Sequence, residues 1–368
     1  MIVTILTSAH RWDDPRVFGR QARTLADAGH TTRLVAPGAP RGTCEGVLVS
    51  GPSRPTSRWA RMSVTLWRLA RSVGGSDVVH VHDPELLLVV AVVRPFLRDV
   101  RWVYDAHEDY SEQLRSKPWL PHRLRRPMSR WLGACEVAVA NRCDLVVAAT
   151  PSIARRFRPD RTVVVQNFPD LTALPPPSPA ADSGEFRVMH LGEMNERRGA
   201  SSLISALAEL PDSSRVVVEQ MGPVKPRDVL AGAATRIRIV PPADHQTALG
   251  RLAASDAGLV LFRPGPNHDF SQPNKLFEYL VAGLPVLASD IAHWRSIVAA
   301  CGATAVFVDP DDPSSVRDGL VELERVAVRH DRAVQAERAR ALYSWDSQAE
   351  VLQRAYEGLT AGVRSREE

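Results

Sequence analysis

One stretch, Ser271-Gln-Pro-Asn-Lys-Leu-Phe-Glu-Tyr-Leu-Val-Ala-Gly-Leu-Pro-Val-Leu-Ala-Ser-Asp290, constrains the fold of this chain more than any other. Pro273 and Asn274 are helix-start residues, and Gly283 followed by Pro285 stops the helix. Val286, Leu287 and Ala288 then form a short apolar run that suits an inner strand of a parallel sheet. A helix that starts at the mouth of such a sheet points its free N–H groups outward and favours an anion there. Lys275 places a full positive charge in the first turn, against the helix dipole. Glu278 stands one turn on, and the two acceptor oxygens of a carboxylate can take both hydroxyls of a ribose diol. An ordinary surface pair at i,i+3 spacing is the competing reading of Lys275 and Glu278.

The chain has 368 residues, room for two domains, and its 44% hydrophobic and 24% charged content is that of a globular protein. The longest apolar run, Leu86 to Val93, stops at Arg94 and is too short to cross a membrane. Met1 to Leu6 is short and lacks a basic leader, so a cytoplasmic location is expected. Cys44, Cys135, Cys143 and Cys301 follow neither metal-ligand nor disulfide spacing and are expected as free thiols. The net charge of +4 permits contact with an anionic membrane surface without demanding it, and no nucleic-acid partner is expected. Lysine occurs only at 117, 225 and 275, which makes its presence in the central stretch informative.

From the start, Ile2 to Leu6 reads as a buried strand running into the polar loop Thr7 to Arg16. A helix over Pro15 to Ala28 follows, stopped by Gly29, and then a strand over Thr32 to Val35. The first loop lacks the Gly-x-Gly-x-x-Gly pattern, which argues against a nicotinamide or flavin site. Arg58 to Val73 reads as a basic amphipathic helix, able either to pack on the sheet or to lie on an anionic membrane. Strands over Asp77 to Val81 and Arg101 to Tyr104 end in His80-Val-His-Asp83 and Asp105-Ala-His-Glu-Asp109. His10, His82 and His107 thus come to strand ends of one sheet and mark a polar site. His80 and His82 are expected on opposite faces of their strand, and no three-ligand metal set emerges. An arginine-rich segment, Arg115 to Arg130, leads to a helix from about Met128 to Arg142. Strands over Asp144 to Ala148 and Thr162 to Val165 close this half.

Leu174 to Gly184 is a proline-rich linker by composition. The alternation then begins again, with strands over Phe186–Leu191, Arg215–Glu219, Ile237–Val240, Ala257–Phe262, Val286–Ala288 and Thr304–Val308. The fold class is therefore α/β, with two Rossmann-like domains whose parallel sheets face a cleft. The loop Gly192 to Gly199 follows the first strand of the second half and opens a helix. Its glycines allow close backbone approach, and Arg197 and Arg198 stand where a phosphate would be held. The Asp-x-Asp at Asp309 and Asp311 is read as a turn, with Asp312 capping a helix that has Pro313 at its first position.

With these motifs placed, the chain resembles the retaining glycosyltransferases of the GT-B fold, and most closely glycosyltransferase family 4. The resemblance rests on Asp14-Pro-Arg16 with Leu25 to His30, on Val79-His-Val-His-Asp83, on Tyr104-Asp-Ala-His-Glu108, and on the Gly192 to Gly199 loop. It rests most specifically on Pro273-Asn-Lys-Leu-Phe-Glu-Tyr279 with Ala282-Gly-Leu-Pro285, and also on Trp345 before a last helix. It implies an acceptor-binding domain over 1–172, a linker over 173–186, a nucleotide-sugar domain over 187–343, and a helix over 344–362 that crosses back to the first domain. It implies a nucleoside-diphosphate sugar as donor, held by Gly192, Glu193, Arg198, Ser271, Gln272, Asn274, Lys275 and Glu278. Arg198 takes the place of the family's phosphate-binding lysine, Lys275 lies near the diphosphate, and Glu278 holds the ribose. His107 is implied to lie by the transferred sugar, so that His107, Arg198 and Lys275 form the catalytic set. His10, Asp14, Arg16, His82 and Glu108 are the expected acceptor-side residues. No metal and no cofactor is expected. The acceptor class stays open between a small molecule, a glycan and a lipid-linked sugar, and peripheral contact at the inner membrane face is compatible with the arginine-rich segments.

Two departures from the family pattern stand out. The glutamate that the family places eight positions before the ribose glutamate is Phe270 here, with Asp269 beside it. The arginine common after the loop's first glycine is Glu193. Two alternatives follow, a sugar-nucleotide 2-epimerase on the same fold and a non-catalytic partner that binds a sugar nucleotide.

Overall fold

A computed structural model describes residues 1–54, 57, 66–115, 121–172, 174–176, 184–225, 235–241, 245–265 and 269–364. The chain forms two compact units, Met1–Asn167 together with Trp345–Glu368, and Phe168–Ser344. The first break falls at Asn167, five residues before the expected end of the first domain at 172. Phe168 belongs to the second core because its ring meets Phe277 and Tyr343 edge-on, with centroids 5.0 and 5.3 Å away.

In the first unit eight strands form one sheet in the order β3-β4-β2-β1-β5-β6-β7-β8. They are β1 Ile2–Leu6, β2 Thr31–Val35, β3 Gly42–Cys44, β4 Val47–Ser50, β5 Val78–Val81, β6 Arg101–Ala106, β7 Leu145–Ala148 and β8 Thr162–Val164. All pairs are parallel except β3 with β4. That hairpin was not expected from the sequence. Glu45 and Gly46 both take positive φ, 46° and 78°, the backbone that a tight two-residue hairpin turn needs. The inner strands are buried on both faces and so read as continuous apolar runs. Leu6, Val79, Val81, Trp102 and Tyr104 point to one face, covered by helices Leu66–Ala70, Leu87–Val93 and His122–Ala140. Val3, Ile5, Val78 and Val103 point to the other, covered by Val17, Phe18 and Leu25 and by Trp345, Leu352 and Tyr356 of the last helix, Trp345–Arg364.

The second unit holds β9 Phe186–Leu191, β10 Val216–Met221, β11 Ile237–Val240, β12 Ala257–Val260, β13 Val286–Ser289 and β14 Ala305–Val308. Their order is β11-β10-β9-β12-β13-β14, parallel throughout. From β9 the chain runs outward to β11 on one side and then returns to build β12 to β14 on the other. The carboxyl ends of β9 and β12 therefore bound a topological switch point, where such sheets leave a crevice. The ends of β1 and β5 do the same in the first unit.

Three helix expectations shift. The helix expected over Pro15–Ala28 begins as a π-helical stretch, Val17–Ala22, and ends as a short α-helix, Arg23–Asp27. The helix expected from Met128 starts at His122 and carries Pro127 inside it. Of the expected basic helix at 58–73, Leu66–Val73 is helical and 58–65 lie outside the described residues, as do 116–120, 177–183 of the linker and the tail from 365. Asp312 caps its helix as expected, accepting from the Ser314 N–H at 2.9 Å. Among the described residues no helix is long and apolar enough to cross a membrane.

Candidate functional site

The first unit builds a buried polar site around Asp105. A buried carboxylate needs partners, because desolvation alone would drive it neutral. Arg16 supplies a bidentate pair, Nε to Oδ1 at 3.1 Å and Nη2 to Oδ2 at 2.8 Å, and Gln21 Nε2 donates to Oδ2 at 2.6 Å. The π-helical stretch explains how both reach it. The Gln21 N–H bonds to the Arg16 carbonyl at 3.0 Å, five residues back, which stacks the two side chains on one face. Burial would raise the Asp105 pKa, but the charge of Arg16 and the His107 hydrogen bond hold it well below the usual carboxylate range. His107 Nδ1 faces Asp105 Oδ1 at 3.1 Å, and its Nε2 meets the Tyr110 hydroxyl at 3.1 Å.

Beside it, Asp83 collects the loop after β1. Its Oδ2 accepts from Thr7 Oγ1 at 2.7 Å, Ser8 N at 2.6 Å and Ala9 N at 3.1 Å, and its Oδ1 lies 3.0 Å from His10 Nδ1. Burial would lower the His10 pKa, but the hydrogen bond and charge of Asp83 outweigh it and raise it to about 9. The His10 and His107 rings meet edge-on, 4.8 Å apart. His80 and His82 are fully buried and stacked, with ring centroids 4.7 Å apart, which corrects the expectation of opposite faces. Alternation puts residues two apart on the same face. Burial lowers the His80 pKa to about 4 and pushes His82 well below its ordinary value. Two three-residue groups, His10–Asp83–His107 and His82–Asp105–His107, bring their ligand atoms within 4.8 Å. Arg16 already gives Asp105 its cation.

The second unit builds a site of opposite character. The helix Asn274–Val281 starts after Pro273 with no side-chain cap, and its N-terminal end carries the positive pole of the helix dipole. Lys275 in that turn is buried, and Glu278 is half-buried. Lys275 Nζ lies 2.9 Å from His190 Nε2 of β9, and His190 Nδ1 lies 2.5 Å from Gln220 Oε1 of β10. Burial first, then repulsion from Arg198, lowers the Lys275 pKa to about 7, against the pull of Glu278. Arg198 closes the Gly192 loop by donating from Nη1 to the Glu193 carbonyl at 2.5 Å. Both cations lie over the Phe262 ring, Arg198 at 5.4 Å and Lys275 at 5.6 Å from its centroid. Gly192 and Gly222 take φ of 91° and 138°, and a Cβ on Gly222 would collide with the Gly192 carbonyl. The Tyr279 hydroxyl accepts from Leu191 N at 2.9 Å and ties this helix to the end of β9.

Of the expected donor residues, Arg198 and Lys275 come together over Phe262 just past the end of β12, and others have partners of their own. The Glu193 carboxylate is occupied by Asn195 Nδ2 at 2.6 Å and Lys225 Nζ at 3.0 Å, leaving its carbonyl to hold Arg198. The Ser271 carbonyl accepts from Trp294 Nε1 at 2.9 Å, and Gln272 lies 3.4 Å from His293 Nε2. Phe270 is 60% exposed, and the Asp269 carboxylate accepts from Gly265 N at 3.0 Å within its own turn. On the first unit the expected acceptor-side residues differ in burial. His82 and Arg16 are buried, and Asp14 accepts from the N–H groups of Arg16 and Val17 at 2.9 and 3.0 Å as a helix-start residue. His10, His107 and the exposed Glu108 remain at the surface. Sequence reading missed Asp83, Asp105, His190 and Gln220. The available signal was a polar residue inside an apolar strand run, as in Val188-Met-His-Leu191, which demands a buried partner.

Residues 16–173 match the sequence profile of Glycosyltransferase Family 4. One relative, the phosphatidyl-myo-inositol mannosyltransferase of Mycolicibacterium smegmatis, is 23% identical over 375 residues, covering 93% of this chain and 89% of that protein. Sucrose-phosphate synthase from Thermosynechococcus elongatus superposes with a TM-score of 0.75 at 18% identity, over 98% of this chain and 99% of that one. HepE from Anabaena, solved with UDP-glucose, superposes with a TM-score of 0.67 at 14% identity, over 98% and 100%. At these identities the solved structures establish the shared fold. The chain has the GT-B fold and is a glycosyltransferase of that type, resembling glycosyltransferase family 4.

Proposed function

We propose that the protein moves a sugar from a nucleoside-diphosphate sugar to an acceptor hydroxyl, with retention of anomeric configuration and without a metal ion. One observation carries this reading. Lys275, Arg198 and an uncapped helix start converge at the switch point of the second sheet, with Glu278 one turn on. Breaking the bond at the anomeric carbon loads negative charge onto the departing diphosphate, and fixed cations stabilise that charge without reorganising. Glu278 takes the ribose hydroxyls. The leaving phosphate oxygen takes the acceptor proton on the same face of the sugar, so no protein nucleophile is required. His107, steadied by Asp105, borders the transferred sugar, and His10 and Glu108 meet the acceptor. The UDP-glucose bound to HepE supports the donor class.

A thermal-shift screen with nucleoside diphosphates tests the donor, because a ligand that binds only the folded state raises the midpoint. Lys275→Ala or Arg198→Ala lowers turnover by about 100-fold, the loss typical of a removed charge-stabilising donor. Wild-type turnover in both variants would refute the assignment. Conversion of the donor alone to its epimer would replace transfer with 2-epimerisation. Donor binding with no transfer to any acceptor would replace it with a non-catalytic role.

The same reading places the work in the cytoplasm, with a peripheral contact on an anionic membrane surface. Six of the fourteen large exposed apolar side chains among the described residues lie on three neighbouring helices, and a seventh, Phe96, lies on the 3-10 turn Arg94–Phe96 that follows the second of them. Leu88 and Val92 stand on the outer side of one, with the 83%-exposed Phe96 on the turn after it, and Leu124, Met128 and Trp131 line the outer side of the next. On the helix His122–Ala140 the spacing of four and three residues makes a single stripe, flanked by Arg123 and Arg130 on one side and Arg125 on the other. Arginines bordering apolar side chains match an anionic lipid surface, at roughly 1 kcal/mol per basic residue. The protein is expected to sediment with vesicles containing phosphatidylglycerol and not with pure phosphatidylcholine. Phe96→Ser with Trp131→Ser should weaken that binding about tenfold at unchanged melting temperature. Self-association through this face, detected by ultracentrifugation and lost in the double variant, would assign it to a second copy instead.

A further inference from the structure

Lys275 is a buried cation, and among the described residues no carboxylate hydrogen-bonds to it directly. Among the described residues its ammonium has one hydrogen-bond partner, His190 Nε2 at 2.9 Å. An imidazole can serve an ammonium only if the facing nitrogen carries no proton, so something must fix the tautomer. Gln220 does so. Its Nε2 lies 2.8 Å from the Gly192 carbonyl and 3.3 Å from the Gly222 carbonyl, and carbonyls only accept. The amide is therefore oriented with Nε2 toward the loop and Oε1 toward His190 Nδ1, 2.5 Å away. Facing an acceptor, Nδ1 must hold the ring proton. That leaves the Nε2 lone pair for Lys275.

We propose that His190 and Gln220 are positioning residues for donor binding, one hydrogen-bonded chain that holds the Lys275 ammonium and the Gly192 loop in register. This rests on the reading of Lys275 as a diphosphate ligand. The logic of the arrangement is electrostatic. A carboxylate in place of His190 would hold the ammonium and cancel its charge. A neutral imidazole holds it and leaves the charge for the ligand. The same chain ends on the Gly192 carbonyl, so the loop that carries Arg198 is pinned to the same support. The charged and titratable groups around Lys275 are His190 from β9, Arg198 from the Gly192 loop and Glu278 from its own helix. His190 stays neutral there because it is buried and beside Lys275.

The test is nucleoside diphosphate affinity of the full chain, measured by calorimetry between pH 6 and 9, for wild type and variants at positions 190 and 220. Wild-type affinity should fall as pH rises above about 7, as Lys275 loses its proton. His190→Leu strips the ammonium of its acceptor, so the fall should move about one pH unit lower, with about tenfold weaker binding at pH 7.5. His190→Asn keeps an acceptor oxygen and should recover most of that loss. Gln220→Glu puts a carboxylate beside Nδ1 and draws a second proton onto the ring. Nε2 then becomes a donor, and affinity should drop as in the leucine variant. A pH midpoint unchanged in His190→Leu and Gln220→Glu, with wild type still binding, overturns the chain and leaves the diphosphate reading standing. No binding by wild type at any pH overturns both. Should the leucine variant fail to fold, the asparagine and glutamate variants decide the point alone, the first binding and the second failing.

Discussion

Asp83 and His10 show how one residue pair ties a loop to a sheet and makes stability depend on pH. Asp83 is buried at the end of β5, and it takes the backbone N–H groups of Ser8 and Ala9 as well as the His10 ring. The His10 pKa is about 9 in the fold and near 6.5 in the unfolded chain, so the folded state holds the proton more tightly. The stability it contributes is complete below pH 6.5 and is lost as pH rises through 9. At 1.36 kcal/mol per pH unit the ceiling is about 3 kcal/mol, reduced by solvent screening because the ring is partly open to water. Urea unfolding at pH 6 and at pH 9.5 should give a higher free energy at the lower pH. In Asp83→Asn the protein should be weaker overall and that difference should vanish; a slope that persists would assign it to another group. At this scale the sequence displays the residues that stand in a recognisable motif, such as Lys275, Glu278, Arg198 and His107. It conceals Asp105, His190 and Gln220, because a polar side chain in an apolar run shows that it needs a partner without showing which.

Elements are legible where burial dictates them. The inner strands of both sheets are covered on each face, so they appear as apolar runs, and all six strands of the second unit lie within a few residues of expectation. The β3–β4 hairpin escaped because Gly42-Thr-Cys44 at the sheet edge is short and half-exposed, with no alternation to read. The π-helical stretch escaped for a different reason. Its i→i+5 bonding at Arg16 and Gln21 serves Asp105, a contact across 84 to 89 positions of sequence. Local propensity carries no trace of such a demand. Proline misled at His122–Ala140, where Pro127 marked a helix start to the eye but sits inside the helix. The Gly192 loop was legible as a loop, since Gly192 and Gly199 both require positive φ, yet what it leans on at Gln220 was not.

The two units differ in how the chain builds them, and this bears on which can stand alone. The second, Phe168–Ser344, is continuous and encloses its own core from Phe168 to Tyr343. The first is discontinuous, because its lower sheet face is finished by the last helix. Trp345 Nε1 donates to Thr24 Oγ1 at 3.0 Å, the Tyr356 hydroxyl lies 2.8 Å from His80 Nδ1, and Gln348 Oε1 accepts from Gln166 N at 2.8 Å. Trp345, Leu352 and Tyr356 are buried there beside Val3, Ile5 and Val78. Removing them would expose an apolar face and leave His80 Nδ1 buried without a partner, each a cost of kcal/mol order. A fragment of residues 168–344 should therefore melt cooperatively by itself and bind a nucleoside diphosphate with the affinity of the full chain. A fragment of residues 1–167 should lack a cooperative transition until a peptide of residues 345–364 is added, and Tyr356→Phe in that peptide should weaken the rescue. If 1–167 melts cooperatively without the peptide, the last helix is an attachment to a finished unit rather than part of its core. If 168–344 folds but loses the ligand, donor binding draws on groups beyond the helix start, Lys275 and Arg198.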